Sequence, residues 1–124
     1  MNPDRDCPFC SDEDAVIGNA QAYARFDKYP VTPGHLLLIT RRHVPDFFQI
    51  SADERRAMFA LLDQAKGLLD ERFAPQGYNI GVNVGEVAGQ TIPHVHLHLI
   101  PRYRGDAPNP RGGVRGVIPA KQSY

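Results

Sequence analysis

Alternating apolar and polar positions predict four β-strands in this chain. Residues 20–27 and 34–40 are two apolar-rich runs, and the segment between them, 30–34, carries two prolines and a glycine that preclude regular structure. Further along, apolar residues occupy every second position of 78–84 and of 95–99. Because successive side chains on a strand point to opposite faces, each of these two segments should bury one face of a sheet.

A single long helix is predicted between the second and third strands. Ser51 and Glu54 have the spacing of a capping box, in which the serine accepts from the third helical amide and the glutamate reaches back to the cap residue. The segment 74–77, with a proline and a glycine, should end the helix. Apolar residues recur between these ends at helical spacing and predict one core-facing stripe: Met58, Leu61, Leu62, Ala65, Leu68, Leu69 and Phe73.

The order strand, strand, helix, strand, strand predicts an α+β fold, in which an antiparallel sheet packs against the helix. The 124 residues are enough for one domain with its own core. We assign residues 1–104 to the domain proper. Residues 105–124 form a tail rich in glycine, proline and arginine, which belongs to the same domain and should be irregular and extended. The tail could cover a partner subunit or the mouth of a site, with Arg111 and Arg115 meeting terminal phosphates.

Composition and charge disfavour several classes of function. Lys+Arg and Asp+Glu are equal at 14 each, so a nonspecific polyanion binder is disfavoured and no nucleic-acid partner is expected. No apolar stretch reaches the roughly 18–20 residues of a membrane span. Residues 1–6 lack the basic and apolar regions of a signal peptide. We therefore expect a soluble, cytoplasmic protein with no membrane partner.

Three histidines at two-residue spacing, His94, His96 and His98, are the most informative feature of the chain. On a strand they would form one polar row, opposite Val95 and Leu97. Such a row can bind a metal, supply a nucleophile or a proton donor, or lie on a solvated sheet face. Same-face residues of one strand are roughly 6.5–7 Å apart at Cα, so two imidazoles converge on one ion easily and a third only with distortion. A metal-dependent hydrolase built on the three histidines stays an alternative.

The segment from His94 to Ile100 resembles the signature of the histidine triad (HIT) family of nucleotidyl hydrolases and transferases, in which three histidines alternate with apolar residues. The resemblance covers roughly residues 7 to 102. Four flanking stretches extend it: Gly89-Gln90-Thr91, Pro101-Arg102, Pro33-Gly34-His35 with the apolar run after it, and Arg41-Arg42-His43-Val44.

This resemblance implies a bacterial-type HIT-like fold, with an antiparallel sheet of about five strands, one long helix and a short N-terminal helix or turn. It also implies a homodimer that pairs across a sheet and helix edge. Among the family's branches, the chain looks close to the diadenosine polyphosphate hydrolases and the purine nucleoside phosphoramidases.

The resemblance implies a catalytic role for four histidines. His96 would attack the α-phosphorus of an adenosine nucleotide conjugate and form a covalent nucleotidyl-histidine, for which an imidazole with an ordinary pKa near 6.5 is suited. A backbone carbonyl near His94 would fix its tautomer, with His35 and His94 in support. His98 would lie against the phosphate and the leaving group. No cofactor is needed for this chemistry.

Seven residues are candidates for nucleotide binding. Asp27 can accept from both ribose hydroxyls, which favours a ribonucleotide, although a solvated aspartate at a strand end is the simpler interpretation without the resemblance. Ile17 and Phe26 could flank a purine or could belong to the core. Phosphate contacts are expected from the loop residues, with Gly89 allowing close backbone approach: Asn83, Gly89, Gln90 and Thr91.

Cys7 and Cys10 supply half of a tetrahedral zinc site. The resemblance to some bacterial HIT proteins implies that His43 and His94 supply the other half, in which case the metal is structural. Two unligated buried thiols are the alternative. A zinc-stabilised nucleotide-binding module is a further functional alternative that the sequence leaves open.

Overall fold

The structure is a computed structural model that describes residues 6–124. Residues 1–5, most of the N-terminal segment that lacks signal-peptide features in its sequence, lie outside the described part. Five strands and one long helix form the fold: β1 (Ile17–Gly18), β2 (Ala22–Phe26), β3 (Leu36–Thr40), α1 (Ala52–Phe73), β4 (Gly77–Val82) and β5 (His96–Arg102). The α+β prediction of a sheet of about five strands with one long helix is confirmed, and turns occupy the segment before β1.

The five strands form one sheet in the order β1-β2-β3-β5-β4, and every neighbouring pair is antiparallel. The central pairing of β3 with β5 sets the two faces of the sheet. Leu38 lies opposite Leu97 on one face, and Ile39 lies opposite His96 on the other. The alternation in the sequence therefore becomes an apolar face and a histidine face.

The helix α1 packs on the apolar face. Met58, Leu61 and Leu69 are fully buried against residues of β2, β3 and β5. A smaller apolar cluster covers part of the histidine face, where Phe9 and Tyr23 pack with Ile39. Helix packing thus holds the sheet rigid from one side and leaves the other side available for a site.

The capping box of α1 is present as predicted. Ser51 accepts from the amide of Glu54 at 3.0 Å, and the Glu54 carboxylate accepts from the amide of Ser51 at 2.8 Å. Arg42 also donates to this buried carboxylate, and its hydrogen bond is the main reason that the pKa of Glu54 is lowered. At the other end, Ala74 adopts a left-handed conformation with φ 49°.

The sequence and the structure differ at three places in the sheet. Strand β1 was not predicted, because two residues carry no periodicity. Strand β5 begins at His96, so His94 precedes it and does not continue the row of histidines. Strand β4 ends at Val82 instead of residue 84.

The C-terminal tail is also more ordered than its composition suggests. It is folded into 3₁₀ turns at 113–117 and 119–121 instead of being extended. Arg111 and Arg115 both pack over the ring of Tyr124, at 4.8 and 4.7 Å, which is where the structure places the two arginines expected at terminal phosphates. None of the helices formed by residues 6–124 is both long and apolar enough to cross a membrane.

Candidate active site

A cavity of about 480 Å³ opens on the histidine face of the sheet. Its volume is in the range of small-molecule sites. His35 precedes β3 and His98 lies on β5, so the adjacent strands bring both side chains into it. The wall also includes the following residues, of which the last two come from the tail: Asp27, Asn83, Ile80, Val114 and Val117.

The tautomer of His96 follows from its one backbone partner. Nδ1 of His96 lies 2.8 Å from the carbonyl oxygen of His94. Because a carbonyl oxygen can only accept, Nδ1 carries the proton and Nε2 keeps a free lone pair. The ring is 7% exposed and lies 5.1 Å, centroid to centroid, from the ring of His98. The hydrogen bond therefore fixes the tautomer and orientation of His96, so that Nε2 is the nitrogen of the neutral ring that can attack.

A second chain of hydrogen bonds fixes His35 and His98. The amide of Val31 donates to Nδ1 of His35 at 3.1 Å, so the proton of His35 is on Nε2. Nε2 of His35 lies 2.9 Å from Nδ1 of His98 and donates to it. The remaining nitrogen of His98, Nε2, then carries a proton. His98 thus offers an N–H donor, whereas His96 offers a lone pair.

Burial keeps these two supporting histidines neutral. Desolvation lowers the pKa of His98 to about 4, with smaller contributions from His96 and His35. Desolvation also lowers the pKa of His35, although the Asp27 carboxylate at 3.6 Å opposes that shift. At neutral pH the cavity therefore contains one anionic group, Asp27, beside neutral imidazoles. Oδ1 of Asp27 accepts from the amide of Tyr29 at 2.8 Å, which fixes the carboxylate at the end of β2.

Phe9 forms the inner wall behind His96. Its ring centroid lies 5.0 Å from that of His96 in an edge-to-face arrangement, and the residue is 4% exposed. The hydroxyl of Tyr23 donates to the Phe9 carbonyl at 2.6 Å and so fixes the loop. We did not predict this contact, and the only signal for it was the position of Phe9 between the two cysteines.

His94 points away from the other two triad histidines. Its Nε2 lies 2.6 Å from the carbonyl oxygen of Thr40, so the proton is on Nε2 and the lone pair of Nδ1 faces the opposite way. Nδ1 lies 3.4 Å from Sγ of Cys7, 3.6 Å from Sγ of Cys10 and 3.2 Å from Nδ1 of His43. The three triad histidines therefore do not converge on one point, which counts against a metallohydrolase that uses all three.

The donor set around His94 fits a tetrahedral zinc ion. The ligand atoms of Cys7, Cys10, His43 and His94 all lie within 4.8 Å of one another. Zinc–sulfur and zinc–nitrogen bonds of about 2.3 and 2.0–2.1 Å give tetrahedral edges of roughly 3.4–3.8 Å, close to the distances around Nδ1 of His94. The potential ligand atoms of a second group, Asp27, His35 and His98, also lie within 4.8 Å of one another. There the 2.9 Å between two ring nitrogens is a hydrogen-bond distance, which indicates a shared proton.

Two residues proposed to flank a purine lie on the wrong face of the sheet. Phe26 packs edge-on against Phe73 of α1 at 6.2 Å. Ile17 pairs with Ala24 and packs against the same core. Since strand alternation places Asp27 on the histidine face, its neighbour Phe26 must face the helix. The structure therefore places Ile17 and Phe26 in the core, which is the alternative that the sequence left open for them.

The loop after β4 has a different role from the one expected for it. Gln90 donates to the carbonyls of Pro45 and Ile92 and accepts from the amide of Gly85, so its amide is used within the loop. Gly89 has φ 100° and ends a 3₁₀ turn, which accounts for the glycine. Thr91 is exposed. Of the four loop candidates, only Asn83 lines the cavity.

An antiparallel five-stranded sheet with one helix on its apolar face and a fixed imidazole pair on the other defines the histidine triad class of fold. The chain belongs to the HIT family, since a HIT domain profile matches residues 10–105.

Relatives with assigned names support this placement. The chain is 38% identical over 77 residues to a bis(5'-nucleosyl)-tetraphosphatase (asymmetrical) of Schizosaccharomyces pombe, covering 62% of this chain and 42% of that protein. It is 32% identical over 108 residues to an AP-4-A phosphorylase of Mycobacterium tuberculosis, covering 85% of this chain and 55% of that protein. The chain therefore spans about half the length of these curated relatives.

Solved structures show the same fold. A HIT family protein from Bacillus anthracis superposes with a TM-score of 0.76 at 34% identity, covering 82% of this chain and 77% of the other. A zinc-bound histidine triad family protein from Mycobacterium smegmatis superposes with a TM-score of 0.74 at 28% identity, covering 84% and 80%.

Proposed function

We propose that this protein is a nucleotidyl hydrolase or transferase that cleaves adenosine nucleotide conjugates at the α-phosphorus through a covalent nucleotidyl-His96 intermediate. One observation carries the proposal. Nε2 of His96 keeps its lone pair because Nδ1 donates to the His94 carbonyl, and the neighbouring ring of His98 offers an N–H donor. A nucleophile beside a donor is the minimum arrangement for phosphoryl transfer through a histidine.

The reaction has two balanced displacements. In the first, the lone pair of His96 Nε2 forms a bond to the α-phosphorus, and the bond from phosphorus to the leaving group breaks with its electron pair. In the second, a water oxygen attacks phosphorus, the bond to Nε2 breaks, and the surplus proton passes to solvent. The His98 N–H would stabilise charge on the phosphoryl oxygens in both transition states. Asp27, fixed at the end of β2, would accept from the ribose hydroxyls.

The names of two relatives support dinucleoside polyphosphates as the substrate class and inorganic phosphate as an acceptor besides water. One is a bis(5'-nucleosyl)-tetraphosphatase and another an AP-4-A phosphorylase. We therefore favour dinucleoside polyphosphates over phosphoramidates as substrates. Inorganic phosphate could replace water in the second displacement, and adenosine substrates would then yield ADP instead of AMP.

Zinc is proposed as a structural metal held by Cys7, Cys10, His43 and His94. The support is the close-set donor group and the zinc-bound relative from Mycobacterium smegmatis. A zinc ion there would pin the N-terminal loop, and with it Phe9, against β5. The chemistry itself needs no metal in this proposal, because the His94 ring faces away from His96.

A homodimer is proposed through the edge of the sheet. Within the described residues, strand β4 pairs on one side only. Ile80 of β4 is 47% exposed, although the β4 residues on its side of the sheet face the core. An exposed apolar edge is normally covered in a soluble protein. Light scattering should give twice the chain mass, and Ile80→Lys should shift it towards the monomer.

The function is tested by following AMP release from diadenosine tetraphosphate and from adenosine 5'-phosphoramidate. Wild type and His96→Ala are compared with and without a chelator, and acid-quenched samples are examined by mass spectrometry for a nucleotidyl adduct on His96. We expect chelator-resistant release that His96→Ala abolishes, with the adduct on wild type alone. Activity that needs added metal would favour the metal-dependent alternative, and a folded wild type that cleaves neither compound would refute the proposal.

A further inference from the structure

The histidine face of β5 continues beyond the catalytic cavity. Residues at every second position share this face, so the row runs His96, His98, Ile100 and Arg102. The last member lies roughly 13 Å from His98 at Cα, two steps of the strand alternation. A substrate that extends from His96 along this strand would therefore reach Arg102.

Strand β4 leaves space beside that row. Its residues opposite His98, Ile100 and Arg102 are Gly81, Asn79 and Gly77. A Cβ at Gly81 would meet nothing within 4 Å, and one at Gly77 only the Cβ of Arg102 at 4.0 Å. Because Gly77 and Gly81 have no side chains, this face of β4 leaves a groove beside the β5 row. We call this groove the β4–β5 trough.

A second cavity occupies the far end of the trough. Its volume is about 590 Å³, comparable with that of the catalytic cavity. The two cavities share Asn79 and Gly113 as lining residues. The tail contacts the trough there, since a Cβ at Gly113 would lie 3.3 Å from Nδ2 of Asn79. The Asn79–Gly113 contact therefore separates two adjoining compartments of one groove.

The far compartment has the chemistry for a nucleotide. Tyr103 and Pro108 offer flat apolar surfaces of the kind that contact a base. Arg102 is neutralised by two hydrogen bonds to Asp106, at 2.7 and 2.8 Å. Arg104 also lines the compartment, and within residues 6–124 its guanidinium has no ion-pair partner. Arg104 is thus the cation available to a phosphate.

We propose that the β4–β5 trough and the second cavity bind the distal nucleoside phosphate of a dinucleoside polyphosphate, while the attacked nucleotide occupies the catalytic cavity. This inference rests on the proposed function and names its substrate class. A phosphoramidate has no distal part, so it would leave the second cavity empty. The trough is then the feature that distinguishes long conjugates from short ones.

Two variants test the proposal without touching the catalytic cavity. Gly77→Val places a branched side chain in the trough, where the 4.0 Å spacing tolerates a Cβ and valine suits a strand. Arg104→Gln removes the available charge from an exposed position, so it leaves the fold intact. Arg56→Gln removes an arginine from the exposed surface of α1 and is the matched control. Circular dichroism and thermal unfolding verify that each variant folds.

The measurement is kcat/KM for diadenosine tetraphosphate and for adenosine 5'-phosphoramidate. We expect Gly77→Val and Arg104→Gln each to lower the ratio of the two values at least tenfold, mainly through KM for the tetraphosphate. Arg56→Gln should leave the ratio unchanged. An unchanged ratio in both trough variants, or an equal loss on both substrates, would overturn the inference.

Failure of the proposed function would look different. In that case the wild type cleaves neither substrate, and binding replaces turnover as the readout. Calorimetric titration with diadenosine tetraphosphate should then give at least tenfold weaker binding to Gly77→Val than to wild type, with AMP affinity unchanged. Equal tetraphosphate affinities for both proteins would overturn the trough proposal independently of catalysis.

Discussion

Nε2 of His35 lies 2.9 Å from Nδ1 of His98, and the amide of Val31 on the far side of His35 fixes the direction of that hydrogen bond. His35 therefore sets which nitrogen of His98 carries the proton. Without it, His98 would be free to place its proton on either nitrogen, and part of the population would present a lone pair to the phosphate.

The first prediction concerns His35→Phe. We expect kcat for AMP release to fall about 10- to 100-fold with KM changed only severalfold, because a donor to the transition state is lost. His35→Gln, which keeps an N–H donor, should retain more of the activity. Equal losses in the two variants would argue for a packing role of the ring.

The second prediction concerns Asp27→Asn. The amide oxygen can still accept from Tyr29, so the turn after β2 should be preserved. A carboxylate accepts hydrogen bonds from both ribose hydroxyls, whereas an amide has a single oxygen to accept them. KM for a ribonucleotide substrate should therefore rise about tenfold. The same change should matter little for a 2'-deoxyribose analogue. Steady-state kinetics with both sugars measures this, and an equal effect on both would contradict the ribose contact.

The third prediction concerns the metal. Elemental analysis of the purified protein should find one zinc ion per chain, and Cys10→Ser should lower this content. Because metal binding stabilises the folded state, zinc loss should lower Tm on the order of 10 °C. Ser11→Ala, next to the ligand and outside the donor group, is the control. Full zinc content in Cys10→Ser would show that the four residues are not the site.

The fourth prediction concerns acid stability. His98 is surrounded by His96, His35 and Asp27, and burial lowers its pKa from 6.5 to about 4. Between these values the unfolded chain binds a proton that the folded chain does not, so unfolding becomes easier as pH falls. The contribution is up to about 1.4 kcal/mol per pH unit for one proton.

Urea unfolding between pH 7 and pH 4.5 tests this dependence. As pH falls over that interval, the free energy of unfolding should decrease less steeply for His98→Gln than for wild type. The difference between the two slopes should be the contribution of one proton. Zinc content is measured in parallel so that the two proteins are compared with equal metal occupancy. Parallel curves for the two proteins would contradict the buried, neutral state of His98.

Local patterns predicted much of the fold. The capping box at Ser51 and Glu54 is a relation between neighbours in the chain, so the sequence alone fixes the start of α1. Strand alternation likewise predicted that Leu97 and Leu99 enter the core, opposite His96 and His98. The same rule identifies Phe26 as a core residue once Asp27 is known to face the cavity. That step needs the position of His35, which directly precedes β3.

Other features depend on contacts between distant residues. Nothing near His94 in the chain shows that its ring turns towards Cys7 and Cys10, more than 80 residues away in sequence. The pairing of His35 with His98 depends on the register of β3 against β5. The tail was expected to be extended because glycine and proline disfavour regular structure, yet it folds back so that Tyr124 contacts Arg111 and Arg115.

The sequence by itself determined the α+β class, the helix ends and the alternation that puts His96 and His98 on one face, because these follow from backbone geometry over a few residues. The family resemblance had already implied that His94 joins the two cysteines, and the tertiary structure showed how its ring turns towards them. Only the tertiary structure decided that Phe9 supports His96 and that Gly77 and Gly81 form the floor of a trough. Those relationships arise from strand order and loop packing, which bring together side chains whose spacing in the chain carries no local signal.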